Sequence, residues 1–149
     1  HDDTMRVWRA MERHVESGEV RTLGVSNIYD PGALKALHEE ATIKPSVVQN
    51  RFYPDTRHDG EVRAFCREKG IAYQSFWTLT GNKRIVEGRA VAAVAKAHDC
   101  TPSQAWLGFV RALGITPLTG TTSSEHMAHD LSLPTLSEAE VERLERLVS

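Results

Sequence analysis

Apolar residues recur at helical spacing over residues 4–17, where Trp8, Met11 and Val15 fall on one face and Gly18 ends the run. The next apolar stretch, Thr22-Leu23-Gly24-Val25, is too brief for a helix and reads as a strand. Asp30 before Pro31 predicts an N-cap with proline at the first helical position, opening a helix to about His38 with Leu34 and Leu37 facing inward. Ser46-Val47-Val48-Gln49 follows a proline, is rich in β-branched residues, and predicts a buried strand.

The same alternation then recurs. Residues 61–69 put Val62, Phe65 and Cys66 on one helical face and stop at Gly70, and residues 71–76 read as a third strand. A loop around Gly81 and Asn82 leads to an alanine-rich helix over 91–98, and Thr101-Pro102 caps a helix through Leu113, stopped by Gly114. Residues 115–118 read as the fourth strand, although Pro117 cannot donate to a ladder and fits poorly in a central strand. Two helices follow, 124–131 and 137–148, the latter with Glu138 and Glu140 in its first turn. Short buried strands alternating with helices predict βα units, an α/β class and a parallel sheet. Such a sheet must be covered on both faces or closed into a barrel. Four strands cannot close the usual eight-stranded barrel, which leaves an open sheet or half of a barrel whose remainder is missing or supplied by another chain.

Composition narrows the partners. The 149 residues are 40% hydrophobic and 26% charged, with a formal net charge of -2, which predicts one globular domain over 1–149 and no nucleic-acid or membrane partner. No apolar run is long enough to span a bilayer and the first ten residues lack a signal-peptide hydrophobic region. Cys66 and Cys100 form no metal or disulfide framework and read as reduced thiols, predicting a cytoplasmic protein.

In parallel βα folds ligands bind at the carboxyl ends of the strands. That rule selects Ser26-Asn27, Gln49-Asn50, Phe76-Trp77-Thr78-Leu79 and Gly120-Thr121-Thr122-Ser123. They offer amides, hydroxyls, an aromatic platform, and a small-residue loop entering a helix N-terminus, where free N–H groups favour an anion. A ligand with an amide, a flat ring and phosphates would use all of them, and a nicotinamide dinucleotide has this chemistry. The plain structural readings are a turn for Ser26-Asn27, a core amide for Gln49, and core or interface aromatics for Phe76 and Trp77. His126 and His129 share a helix face, yet two histidines without a third ligand make a poor zinc site.

The stretch GEVRTLGVSN at 18–27 resembles the signature of the aldo-keto reductases, and the resemblance continues through Val48-Gln49, Phe52-Tyr53-Pro54, Phe65-Cys66, Gly70-Ile71, residues 101–105 and Leu136-Ser137-Glu138. It covers essentially the whole chain. Residues 73–80 and 117–122 resemble most a fungal branch of that family. The resemblance implies a βα-repeat equivalent to strands five to eight of a TIM (βα)8 barrel, the C-terminal half. It implies NADP or NAD as cofactor, with Ser26, Asn27 and Gln49 holding the nicotinamide carboxamide and Phe76 stacking on the ring. The loop through Trp77, Thr78, Leu79 and Asn82 would pass the pyrophosphate. Gly120, Thr121, Thr122 and Ser123, with His126 and Asp130 on the helix beyond, would take the adenosine phosphate end. Three departures stand out: Trp77-Thr78 replaces the usual Ser-Pro, and the lysine and arginine that grip a 2′-phosphate align with Gly120 and His126. Discrimination between NADP and NAD should therefore be weak.

The family's catalytic Asp, Tyr, Lys and His belong to its first four strands, so the resemblance assigns no catalytic residue here; His1 lies too close to the first helix to match the strand-borne histidine. The implied function is the cofactor-binding half of an NAD(P)-dependent reductase of small-molecule carbonyls. A truncated barrel with a non-redox catalytic, ligand-binding or scaffolding role is the alternative. Bare first and last strands predict self-association or a complementary half-barrel.

Overall fold

The computed structural model describes residues 2–148, so His1 lies outside the described residues. In chain order the elements are α1 (Asp2–Glu16), β1 (Gly24–Ser26), α2 (Pro31–Glu40), β2 (Val47–Arg51), α3 (Gly60–Lys69), β3 (Ala72–Phe76), α4 (Lys83–Val86), α5 (Arg89–Ala97), α6 (Pro102–Ala112), β4 (Thr116–Pro117), α7 (Ser124–Leu131) and α8 (Glu138–Glu145). The four strands are parallel, in the order β1-β2-β3-β4. The predicted α/β repeat is thus observed. The chain divides into two compact units: residues up to 50 together with 59–74, and residues 51–58 together with 75 onward.

In the first unit, Met5 and Trp8 of α1 bury against Leu23, Leu37 and Ala41, with Met11 and Val15 packed beside them. Burying each large apolar side chain contributes roughly 1.5–3 kcal/mol. The polar atoms that enter this core are paired: Trp8 Nε1–H donates to the Ile43 carbonyl at 3.0 Å and Glu12 Oε1 accepts from the Ile43 N–H at 2.8 Å. Asp30 caps α2 by accepting from the Gly32 N–H at 2.8 Å, and Leu34 and Leu37 are fully buried, as their spacing predicts. β1 and β2 pair in register Gly24↔Val47, Val25↔Val48, Ser26↔Gln49. Gly24 is required there, since a Cβ would lie 2.8 Å from the Val47 carbonyl oxygen.

The second unit is built around α6, whose Trp106, Leu107, Phe109 and Val110 are all fully buried along with Phe52, Val91, Val94 and Leu144. Thr101 and Gln104 form a reciprocal capping box at its start, Gln104 N–H to Thr101 Oγ1 at 3.2 Å and Thr101 N–H to Gln104 Oε1 at 3.0 Å. Within this unit β3 meets its neighbours through Phe52 N–H to the Phe76 carbonyl at 3.1 Å and Leu118 N–H to the Ser75 carbonyl at 2.7 Å.

Several expectations need correction. The predicted fourth strand shrinks to Thr116 and Pro117; it is last in the sheet order, where a residue without an N–H is tolerated. The expected loop at Gly81-Asn82 is a 3-10 turn, Thr80–Asn82, running into α4. A second 3-10 turn, Pro54–Asp59, holds Arg57, His58 and Asp59 at φ near 50°, a left-handed run without a glycine. The last helix stops at Glu145 rather than Val148.

Candidate functional site

In the first unit the register of β1 and β2 brings Ser26 and Asn27 beside Gln49. Ser26 Oγ–H donates to the Gln49 carbonyl at 2.7 Å, and the Asn27 N–H donates to the same oxygen at 3.1 Å. Asn27 sits at φ 57°, a left-handed value that asparagine tolerates. Its Nδ2–H donates to Ser26 Oγ at 3.1 Å and its Oδ1 accepts from the Tyr29 hydroxyl at 3.0 Å. Gln49 Nε2–H donates to Gln74 Oε1 at 2.9 Å. Sequence reasoning passed over Gln74, although it shares with Gln49 the alternate strand positions. A carboxamide has one acceptor and two donors, so a cluster of one hydroxyl and several side-chain amides, with Gln49 and Gln74 at mid-strand, can meet both kinds of group.

Beneath this cluster lies a polar network that sequence reasoning also missed. Asn50 is fully buried. Its Oδ1 accepts from the Ile28 N–H at 3.0 Å and its Nδ2 donates to the Ile28 carbonyl at 2.7 Å, so it clamps the loop beyond Asn27 from both backbone groups. Nδ2 also donates to Asp59 Oδ2 at 2.7 Å, an oxygen shared with the Tyr73 hydroxyl at 2.7 Å. Burial, then the Asp59 charge and the hydrogen bond to it, push the Tyr73 hydroxyl well above the usual tyrosine range. Tyr73 is held as a structural donor. Burial likewise raises the Cys66 thiol to about 11, with the Asp59 charge adding to it.

In the second unit Phe76 is half-buried and Trp77 is 51% exposed at φ 57°. The Arg51 guanidinium lies over the Trp77 ring at 4.3 Å, and Tyr53 meets that ring edge-on at 6.3 Å. Phe76, Trp77, Leu79 and Gly120 are among the residues around one cavity of about 310 Å³. Thr78 lines this cavity too, while its side chain, like that of Asn82, is buried and engaged internally. Thr78 Oγ1–H donates to the Ser75 carbonyl at 3.0 Å. Asn82 Nδ2 donates to the carbonyls of Phe52 at 2.6 Å and Thr78 at 3.0 Å, while its Oδ1 lies 2.9 Å from His58 Nε2. These two residues shape the loop from within.

A second cavity of the same unit, also about 310 Å³, is lined by Leu79, Gly120, Thr121, His126 and Asp130 among the expected residues. Thr122 is exposed, and Ser123 is the cap of α7, its Oγ accepting from the His126 N–H at 3.3 Å. Glu125 and His129 also line this cavity and escaped the sequence reading. Their signal is spacing, since 125, 126, 129 and 130 share one face of α7. Among the described residues no cluster of three or more His, Cys, Asp or Glu could hold a metal.

Parallel strands with helices between them form the repeat from which a βα-barrel is built. The sequence matches the aldo/keto reductase family model over residues 2–83, and the chain belongs to that family. It is 28% identical over 149 residues to the aldose reductase of Encephalitozoon cuniculi, covering 97% of this chain and 49% of that protein. It is 31% identical over 147 residues to the glycerol 2-dehydrogenase (NADP(+)) of Hypocrea jecorina, covering 94% of this chain and 46% of that protein. An aldo-keto reductase crystal structure from a Medee basin deep-sea metagenome library superposes with a TM-score of 0.87 at 24% identity, over 99% of this chain and 54% of that one. The chain spans about half the length of the relatives it matches.

Proposed function

We propose that this chain is the cofactor-binding half of an NAD(P)-dependent carbonyl oxidoreductase, equivalent to strands five to eight of the family barrel. The observation that carries the reading is the convergence of Ser26 and Asn27, at the end of β1, on Gln49 in the middle of the adjacent parallel strand β2. In this reading those three hold the nicotinamide carboxamide, with Gln74 orienting Gln49. Phe76 flanks the ring, the loop of Trp77, Thr78, Leu79 and Asn82 passes the pyrophosphate, and Gly120, Thr121, Thr122, Ser123, His126 and Asp130 attend the adenosine end. The reduced nicotinamide, when bound, would supply hydride to a carbonyl carbon; the side chains named here bind and orient. Residues 1–149 then act as one domain within the cytoplasm. Their partner is a second copy of the chain or a complementary half-barrel, and the substrate is a small-molecule carbonyl.

Titration with nicotinamide mononucleotide tests the carboxamide site, read by NMR shifts of the Asn27, Gln49 and Gln74 side-chain amides. Saturable shifts, weakened at least fivefold in Gln49→Ala, are the expected result on the scale of a lost hydrogen bond, roughly 1 kcal/mol. Absence of any amide shift, at concentrations where related reductases bind, removes the reading. Light scattering tests the partner: a compact monomer with a cooperative melt counts against self-association.

A further inference from the structure

The cavity beside α7 has an electrostatic character that the loss of a lysine and an arginine does not by itself imply. Its ionisable lining consists of Glu125, His126, His129 and Asp130, all on α7, and none of its other lining residues is a lysine or arginine. Its polar floor is already committed: Gln104 Nε2–H donates to the Ser132 carbonyl at 2.8 Å, and Gln104 Oε1 accepts from Thr101. On the α7 side, Ser123 already accepts from the His126 N–H and Glu125 sits in the first turn, where a carboxylate meets the positive end of the helix dipole. An anion entering this cavity thus finds two carboxylates and no fixed cation.

We infer that this cavity selects an adenosine ribose with free hydroxyls over one bearing a 2′-phosphate, so that the chain is built for NAD, with Glu125 and Asp130 as the specificity-determining residues. The inference rests on the cofactor reading above and sharpens it. A ribose diol donates hydrogen bonds, which carboxylates accept strongly. A phosphate is a dianion with acceptors only, and beside carboxylates it is opposed by charge with no lysine or arginine in the lining to offset it. Weak discrimination, the outcome of losing the two cations alone, becomes an active preference once the carboxylates line the cavity.

The test uses the intact chain at pH 8, titrated with 5′-AMP and with adenosine 2′,5′-bisphosphate and followed through the α7 amide resonances at low and high ionic strength. The 5′-AMP titration should saturate, with the bisphosphate roughly tenfold weaker at low salt and the gap narrowing as salt screens the carboxylates. The double variant Glu125→Gln, Asp130→Asn should bring the two ligands together. His126→Arg, which adds a cation to the cavity lining, should raise bisphosphate affinity more than that for 5′-AMP and so narrow the gap between them. Equal or tighter binding of the bisphosphate to the unaltered chain overturns the inference and leaves the dinucleotide reading standing. Binding of neither nucleotide overturns both at this cavity, while the nicotinamide mononucleotide titration still reports separately on the carboxamide residues.

Discussion

Tyr73→Phe removes one oxygen from the buried cluster at Asp59 and leaves the ring in place. The Tyr73 hydroxyl and Asn50 Nδ2 both donate to Asp59 Oδ2 at 2.7 Å. Asp59 is 3% exposed, and its Oδ1 has no hydrogen-bond partner. Without the phenol, the carboxylate keeps Asn50 as its one donor among the described hydrogen bonds. A hydrogen bond to a charged group contributes about 1.5–3 kcal/mol, and leaving a buried acceptor short of partners costs on the same scale. For a chain of this size that lowers the melting temperature by roughly 3–12 °C. The direction of the Tyr73 shift adds a pH signature. Because its hydroxyl is raised above the ordinary value of 10.0, the folded chain keeps a proton that the unfolded chain releases. Its contribution is therefore fully present below about pH 10 and is lost as pH rises beyond it. Circular dichroism melts from about pH 7 to 11 should show a constant gap between wild type and variant up to about pH 10, then a shrinking one. A variant that melts within about a degree of wild type at neutral pH, or a gap that widens in alkali, refutes the role given to this hydrogen bond.

At the other end of the chain, Glu140 accepts from the N–H and hydroxyl of Ser137 at 2.8 and 2.7 Å and lies 3.1 Å from His98 Nε2. The Ser137 hydrogen bonds first, then His98, hold its carboxyl down to about 2 from 4.5, so the stability it contributes is present above pH 4.5 and lost as pH falls towards 2. Glu140→Gln should flatten acid destabilisation across that window, and urea titrations showing an unchanged pH slope would falsify the assignment. Arg57 is exposed at φ 49° and ψ 40°, so Arg57→Gly should relieve left-handed strain and, net of the entropy glycine adds to the unfolded chain, raise stability by about 0.5–1 kcal/mol. A lower urea midpoint would show that the arginine side chain contributes more than its backbone costs. Finally, the 149-residue chain alone should oxidise NAD(P)H with aldehydes only at background rate. Its three tyrosines are occupied otherwise: Tyr73 is buried on Asp59, Tyr29 donates to Asn27, and Tyr53 packs against Trp77. Ordinary turnover abolished by Tyr29→Phe or Tyr53→Phe would overturn that reading.

Periodicity and stop signals by themselves determine the α/β repeat, because helix faces and caps are set by neighbours within a few residues. The Trp8-Met11 face, the Asp30-Pro31 and Thr101-Pro102 caps, and the stops at Gly18, Gly70 and Gly114, all at positive φ, follow from residues close in sequence. The GVSN stretch at 24–27 is equally local, and Gly24 in it answers to the close approach of β2. What no window of a few residues contains is pairing across nine positions or more. Asn50 could be read as one more strand-end amide, yet its partners are Ile28 and Asp59, and only the fold decides that it closes a clamp. The left-handed run at 57–59 carries no glycine and is held by tertiary hydrogen bonds, from His58 to the Asn82 Oδ1 and from Asn50 and Tyr73 to Asp59. Thr78 and Asn82 read as polar positions of a loop that passes a ligand, and only the fold shows that their side chains also hold carbonyls of their own turn, since a buried turn must satisfy its carbonyls from within. The charge of the α7 cavity is likewise tertiary. Spacing puts Glu125, His126, His129 and Asp130 on one face, and only the folded second unit sets that face against Thr101, Ser103 and Gln104 of the segment that opens α6 to enclose a cavity.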